Sequence, residues 1–310
     1  MFKLTKKLAI IMLPILIYFG IFIYFEPYNY FGFKHSEYNG DSAIVRVREF
    51  NSKPNDVIIL GDSKMAHFDM DKVNEYVGEN VSQLSFGGAS FNESMDLFDY
   101  AIKENPNIHT VYFGVSFYTL NKSYYKDRMS QIKTIAENPF AYMLNFNYNM
   151  EMLNEIKWFV KGEKNVASEH HKEWKHEDLY NPDGTKRKYR KNLEEYADTI
   201  YGVCTKVPYE VDQEDVERYI EIAKYCKENN IKLYTVMPPM DTSLKELVVD
   251  PLGIDKYILE FIDKVSPYST VINYEYNETN PFTPEQFYDG FHLDKYSGLP
   301  IFTEQLFTHE

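Results

Sequence analysis

From residue 56 onward, short apolar runs alternate with amphipathic stretches. Val57–Leu60 is an uninterrupted β-branched and aliphatic run, Val-Ile-Ile-Leu, that stops at Gly61-Asp62-Ser63. Residues 69–77 follow as a helix with an acidic start. Residues 81–86 form a short strand ending in Gly87-Gly88, and 92–104 a helix with Met95, Phe98 and Ile102 on one face. Residues 109–115 form the next strand. The rhythm resumes at 213–229, where Val216, Tyr219, Ile220, Ala223 and Cys226 keep helical spacing. A strand over 231–237 ends at Pro238-Pro239; a helix over 254–265 and a strand over 270–273 complete the series. Strands separated by helices predict an α/β protein: three layers, a parallel sheet with helices on both faces. The continuous apolar runs suit strands buried on both sides.

Two stretches depart from this rhythm. Residues 117–210 are too long for a plain connection and predict a subdomain or lid inserted after the third strand. Within them, 139–162 reads as one long aromatic, Met-rich helix, and 157–191 carries ten basic against six acidic residues. At the other departure, Leu8 to Phe25 is 18 residues without a charge, close to the ~20 that cross a bilayer as a helix. Lys3, Lys6 and Lys7 precede it and Glu26 follows. The positive-inside rule then keeps the N-terminus cytoplasmic and places the rest outside. A cleaved signal peptide would have a shorter core and a small-residue site, which Ile-Tyr-Phe-Glu does not supply. The organisation expected is a single-pass signal anchor at 1–25, a juxtamembrane stalk at 26–55, and one domain at 56–310 carrying the 117–210 insertion.

Composition narrows the function classes. The 310 residues carry a net charge of −14, and aromatics make up 16%. Setting aside the three N-terminal lysines leaves 30 basic against 47 acidic residues, which disfavours nucleic acid as a partner. Two cysteines, Cys204 and Cys226, are too few for a disulfide framework; one bridge or two buried thiols both remain open.

A strand that ends in a tight turn and opens a helix is where α/β proteins place reactive groups. Ser63 is therefore the candidate nucleophile. A serine hydroxyl needs a base, and the base needs an orienting group. Of eight histidines, only His292 has a carboxylate at a useful spacing in a loop near the chain's end, in Asp289-Gly290-Phe291-His292. His67, four residues past Ser63, is a weaker base candidate, because Asp69 and Asp71 read as helix-start residues. Glu169-His170-His171 with His176 could bind metal, although adjacent histidines in a Lys-rich loop are more often solvated. No Lys-Ser/Thr follows Gly87-Gly88, so a nucleotide-binding P-loop is excluded, and no cofactor or metal is expected.

Three segments together resemble the SGNH, or GDSL-type, hydrolase superfamily. Ile59-Leu60-Gly61-Asp62-Ser63 looks like the block that carries the nucleophile. Leu84-Ser85-Phe86-Gly87-Gly88-Ala89-Ser90 looks like the second block, and Tyr288-Asp289-Gly290-Phe291-His292-Leu293 like the last. The resemblance implies a flavodoxin-like sheet, a Ser63–His292–Asp289 triad, and an oxyanion hole fed by the Gly88 N–H. The third block, Gly-x-Asn-Asp, is missing: Gly114-Val115-Ser116-Phe117 stands there. Either Ser116 substitutes for the asparagine, or the Ser63 and Gly88 N–H groups suffice, or Asn92 or Asn121 reaches in.

The layout also resembles membrane-anchored proteins that O-acylate envelope polymers and the D-alanyl-lipoteichoic acid transfer proteins. It implies a membrane-anchored, extracytoplasmic serine acyltransferase or esterase. Its substrate would be the acetyl or D-alanyl esters of a cell-envelope glycopolymer, such as a teichoic acid or polysaccharide. A membrane-bound O-acyltransferase is the implied partner. The alternative is a non-catalytic scaffold subunit of such a system.

Overall fold

The computed structural model describes residues 2–33, 40–162, 174–187, 191–205, 208–275 and 281–308. In chain order the elements are α1 (Phe2–Phe25), α2 (Ala43–Ser52), β1 (Val57–Leu60), α3 (Met70–Val77), β2 (Val81–Gln83), α4 (Phe91–Glu104) and β3 (Thr110–Gly114). Then come α5 (Met129–Glu137), α6 (Pro139–Met143), α7 (Phe146–Lys161), α8 (His176–Leu179), α9 (Lys191–Thr205), α10 (Gln213–Glu228) and β4 (Lys232–Met237). Two short helices, α11 (Thr242–Leu244) and α12 (Asp250–Leu252), flank a wider π turn, and α13 (Asp255–Val265), β5 (Thr270–Asn273) and α14 (Gly298–Phe307) close the chain. Two compact units result. One comprises 1–48 and 130–168; the other comprises 49–129 and 169–310. The expected insertion is thus shared between the units.

The second unit holds a five-stranded, all-parallel sheet in the order β2-β1-β3-β4-β5, the flavodoxin-like order. Every residue of β1, β2 and β3 is buried; β1 and the Val111–Phe113 centre of β3 accordingly read as apolar runs and not as alternating ones, whereas β2 buries Ser82 and Gln83 beside Val81. On one face α3 and α14 pack around Val57, Ile59, Tyr112, Val236 and Phe302. On the other, α4, α10 and α13 meet the sheet, with Phe91, Phe113, Tyr219 and Phe261 in mutual ring contact. The chain turns back on itself between β1 and β3, so the crevice of this fold opens at their carboxyl ends. Close approach is needed there: a side chain on Gly114 would collide with Met65.

The helical unit packs α1 against α7. Phe22 is fully buried, edge-on to Tyr142 at 5.4 Å, and Tyr30 stacks on the same ring at 4.0 Å. Glu26 is buried and accepts from Tyr142 Oη at 2.9 Å and from the Tyr28 N–H at 2.8 Å. Tyr18 donates to Met143 O at 2.6 Å. Burial, followed by the neighbouring Glu26 charge, raises the Tyr142 phenol far above its ordinary range.

Three expectations change. The single helix expected over 139–162 is two helices, because Asn145 Oδ1 accepts the N–H groups of Asn147 and Tyr148 and starts a new one. Within the stretch expected as a stalk, 43–52 form a helix with Ile44, Val45 and Val47 buried. The third concerns the membrane span. A helix forms at Phe2–Phe25, but among the described residues no helix is long and apolar enough to cross a membrane.

Candidate active site

The candidate nucleophile sits at the switch point of the sheet. Asp62 Oδ1 accepts the Lys64 N–H at 2.9 Å, capping a single 3-10 turn, Ser63–Met65. The regular helix begins only at Met70, capped by Asp69. The second Asp62 oxygen accepts from Tyr118 Oη. Asp62 thus holds the turn, and Ser63 is its first residue.

The base arrives on a hairpin. Tyr288 N–H donates to His292 O and Asp294 N–H to Gln286 O, both at 2.8 Å, so 286–288 and 292–294 run antiparallel with 289–291 at the tip. Gly290 has φ of +82°, and a side chain there would collide with Leu193 on α9, so only glycine fits this tip. Its carbonyl accepts from the Asp241 N–H at 2.9 Å, tying the tip to the segment after β4.

These two elements bring together Ser63, His292 and Asp289. Ser63 Oγ lies 2.8 Å from His292 Nε2, and His292 Nδ1 lies 2.9 Å from Asp289 Oδ2. The other Asp289 oxygen accepts the N–H groups of Phe291 at 2.9 Å and His292 at 2.7 Å. Burial would raise the Asp289 carboxyl, but the His292 contact and the two backbone N–H groups outweigh it and hold the pKa below its ordinary value. An ionised carboxylate only accepts. Nδ1 of a neutral His292 must then carry the proton, which leaves the Nε2 lone pair facing the serine hydroxyl. This is the arrangement that activates a hydroxyl for attack on an acyl carbon.

The other candidates fall into place around this line. His67 lines the same small pocket as Ser63, with Lys64, Pro238, Pro239 and His292, but the bond to Ser63 Oγ is made by His292. Neither Gly88 nor Ser116 is on that lining. Gly88 lies in a turn closed by Ala89 N–H to Phe86 O, and Phe86 N–H donates to Gly61 O at 3.3 Å, so this turn is bonded to the strand end that carries Ser63. The Gly88 carbonyl accepts from Lys126 Nζ at 2.7 Å and from Arg128 at 2.9 Å. Ser116 is buried, and its N–H donates to Thr119 Oγ1 at 3.1 Å. Asn92 donates to Lys126 O at 2.6 Å, and Asn121 Oδ1 accepts from the Ser123 N–H. Glu169, His170 and His171 lie outside the described residues, as does the Cys204 side chain; Cys226 is a buried free thiol.

Sequence reasoning missed the groups behind the nucleophile. Lys64 is buried: its ammonium donates to Pro238 O at 3.0 Å, lies 3.9 Å from Glu275 and sits 4.9 Å from the centre of the Phe291 ring. Glu275, just past β5, is wholly buried; desolvation raises its carboxyl to about 7, against the lowering effect of Lys64. An aromatic wall was also missed. Tyr118 and Tyr196 lie 4.9 and 5.7 Å from Phe291, and Tyr196 is 6.4 Å from the His292 ring. Burial, then the charges of Asp289, Tyr124 and Asp62, raises the Tyr196 phenol, which stays neutral beside the base.

Compared with known proteins, the chain matches no family model and no curated relative.

Proposed function

We propose that this protein is a serine acyltransferase or esterase of the SGNH type, held at a membrane and facing outward. Its substrates would be acetyl or D-alanyl esters of a cell-envelope glycopolymer. The observation that carries the chemistry is the unbroken line Ser63 Oγ–His292–Asp289, at 2.8 and 2.9 Å, at the switch point of a parallel sheet. Ser63 attacks the ester carbonyl, His292 takes the proton and returns it to the leaving alcohol, and Asp289 orients the imidazole and stabilises its charged form. The acyl-serine then passes its acyl group to water or to a second hydroxyl, with His292 again removing the proton. The backbone N–H groups of Ser63 and Gly88 are the proposed oxyanion donors.

Location and substrate rest on the sequence: lysines, then an uncharged 8–25, then Glu26. A membrane-bound O-acyltransferase is the partner that would supply or receive acyl groups. A second reading, a non-catalytic subunit of such a system, is favoured by one observation: Ser116 stands where the SGNH type has asparagine, and this buried, shorter side chain is not on the lining of the pocket at Ser63. Hydrolysis of p-nitrophenyl acetate and the acyl content of the envelope, each measured for wild type and Ser63→Ala, test the proposal. Loss of both supports it, and retention of both overturns it.

A further inference from the structure

The helical unit exposes an apolar stripe that its own packing does not use. On α7, Met152 is buried, whereas Phe146, Met150, Leu153 and Val160 are 43 to 78% exposed. Their spacing, with Lys157 between Leu153 and Val160, keeps them on one line along the helix, away from Met152. Phe140 and Leu144, on and just after α6, are 61 and 67% exposed and extend the surface. The same unit exposes Ile10, Ile11, Leu13 and Leu16 of α1, at 56% or more each. Tyr18 of α1 bonds to Met143 O and Asn149 Oδ1, so the two apolar surfaces belong to one packed body. Scattered exposed apolar residues are ordinary, but a contiguous band of this extent marks an interaction surface.

We infer that the α6–α7 pair lies in the plane of a membrane, with Phe146, Met150, Leu153 and Val160 inserted among the lipid acyl chains. Four charged residues on α7, Glu151, Glu155, Lys157 and Lys161, prevent it from crossing a bilayer but suit an in-plane helix. Lys157 can extend its ammonium to the headgroups while its stem stays apolar. A lipid surface fits better than a protein groove because the same unit also exposes Ile10, Ile11, Leu13 and Leu16 of α1, which face all round a helix without a charged residue over 10–25. The two acids and two lysines balance, so insertion is apolar and not electrostatic. This surface is independent of the acyl-transfer chemistry proposed above.

The test uses the full chain with one tryptophan, Leu153→Trp, in a background carrying Trp158→Phe and Trp174→Phe. The protein is reconstituted in phosphatidylcholine vesicles with plain or brominated acyl chains. Brominated chains should quench more than half of the emission, aqueous acrylamide should quench little, and roughly 1 M salt, where the Debye length is about 3 Å, should change neither result. Equal emission in both lipids with ready acrylamide quenching overturns the inference, whether or not the protein floats with the vesicles. That outcome includes a stripe covered by a protein partner. If that variant does not fold, Phe146→Trp in the same background, at the other end of the stripe and 76% exposed, gives the same comparison.

Discussion

Replacing Asp289 with asparagine isolates the orienting step from the fold. The asparagine oxygen can still accept the N–H groups of Phe291 and His292, now at 2.9 and 2.7 Å, so the hairpin tip keeps its two backbone bonds. What changes is the group facing His292 Nδ1. An amide NH2 there donates, Nδ1 must accept, and the imidazole proton moves to Nε2, 2.8 Å from Ser63 Oγ. A protonated Nε2 cannot take the serine proton. The expected loss in kcat is on the order of 10⁴, or ~5 kcal/mol of transition-state stabilisation. The structural cost is far smaller: one charge-assisted bond becomes neutral, which is worth about 1–2 kcal/mol. Hydrolysis of p-nitrophenyl acetate and a thermal melt, on the same preparation, separate the two effects. A rate within tenfold of wild type in a folded variant would refute the role of Asp289.

Two further predictions concern the support of the site. Gly290→Ala forces a side chain into a positive φ and against Leu193, so unfolding free energy should fall by about 2–4 kcal/mol in denaturant titration, with activity falling alongside it. Glu275 has a folded pKa of about 7, above its ordinary value of 4.5, so the folded state holds this proton more tightly than the unfolded chain. Its favourable contribution is complete below about pH 4.5 and is lost as pH rises through about 7. Glu275→Gln should therefore remove a stability decline on the order of 3 kcal/mol across that window, seen as a flatter pH dependence of the denaturant midpoint.

The parts of this molecule that rest on local pattern were legible. Val57–Leu60 is a strand because a continuous apolar run suits a sheet covered on both faces, and Asp69 starts a helix because its carboxylate reaches the next free N–H groups. The line from Ser63 to Asp289 was legible for a related reason. Asp289 and His292 are three residues apart in a tight turn, and the switch point of the sheet places Ser63 at a strand's carboxyl end. What local pattern could not convey was contact at long range. Nothing near Lys64 points to Glu275, more than two hundred residues later, and nothing near Tyr30 foretells its stacking on Tyr142. The break at Asn145 was missed for a different reason: asparagine is neutral enough inside an apolar helical pattern that only its cap bonds reveal a new start. The oxyanion donors are the least legible part, because they are backbone N–H groups whose direction depends on turns and not on residue type.

The most direct measurement of the central claim is covalent labelling of the full-length protein by a fluorophosphonate, followed by peptide mass spectrometry. The account predicts one adduct, on Ser63, that disappears in Ser63→Ala and falls by orders of magnitude in His292→Ala. No adduct on Ser63 in folded protein, or labelling of Ser63 that is indifferent to His292, would contradict it.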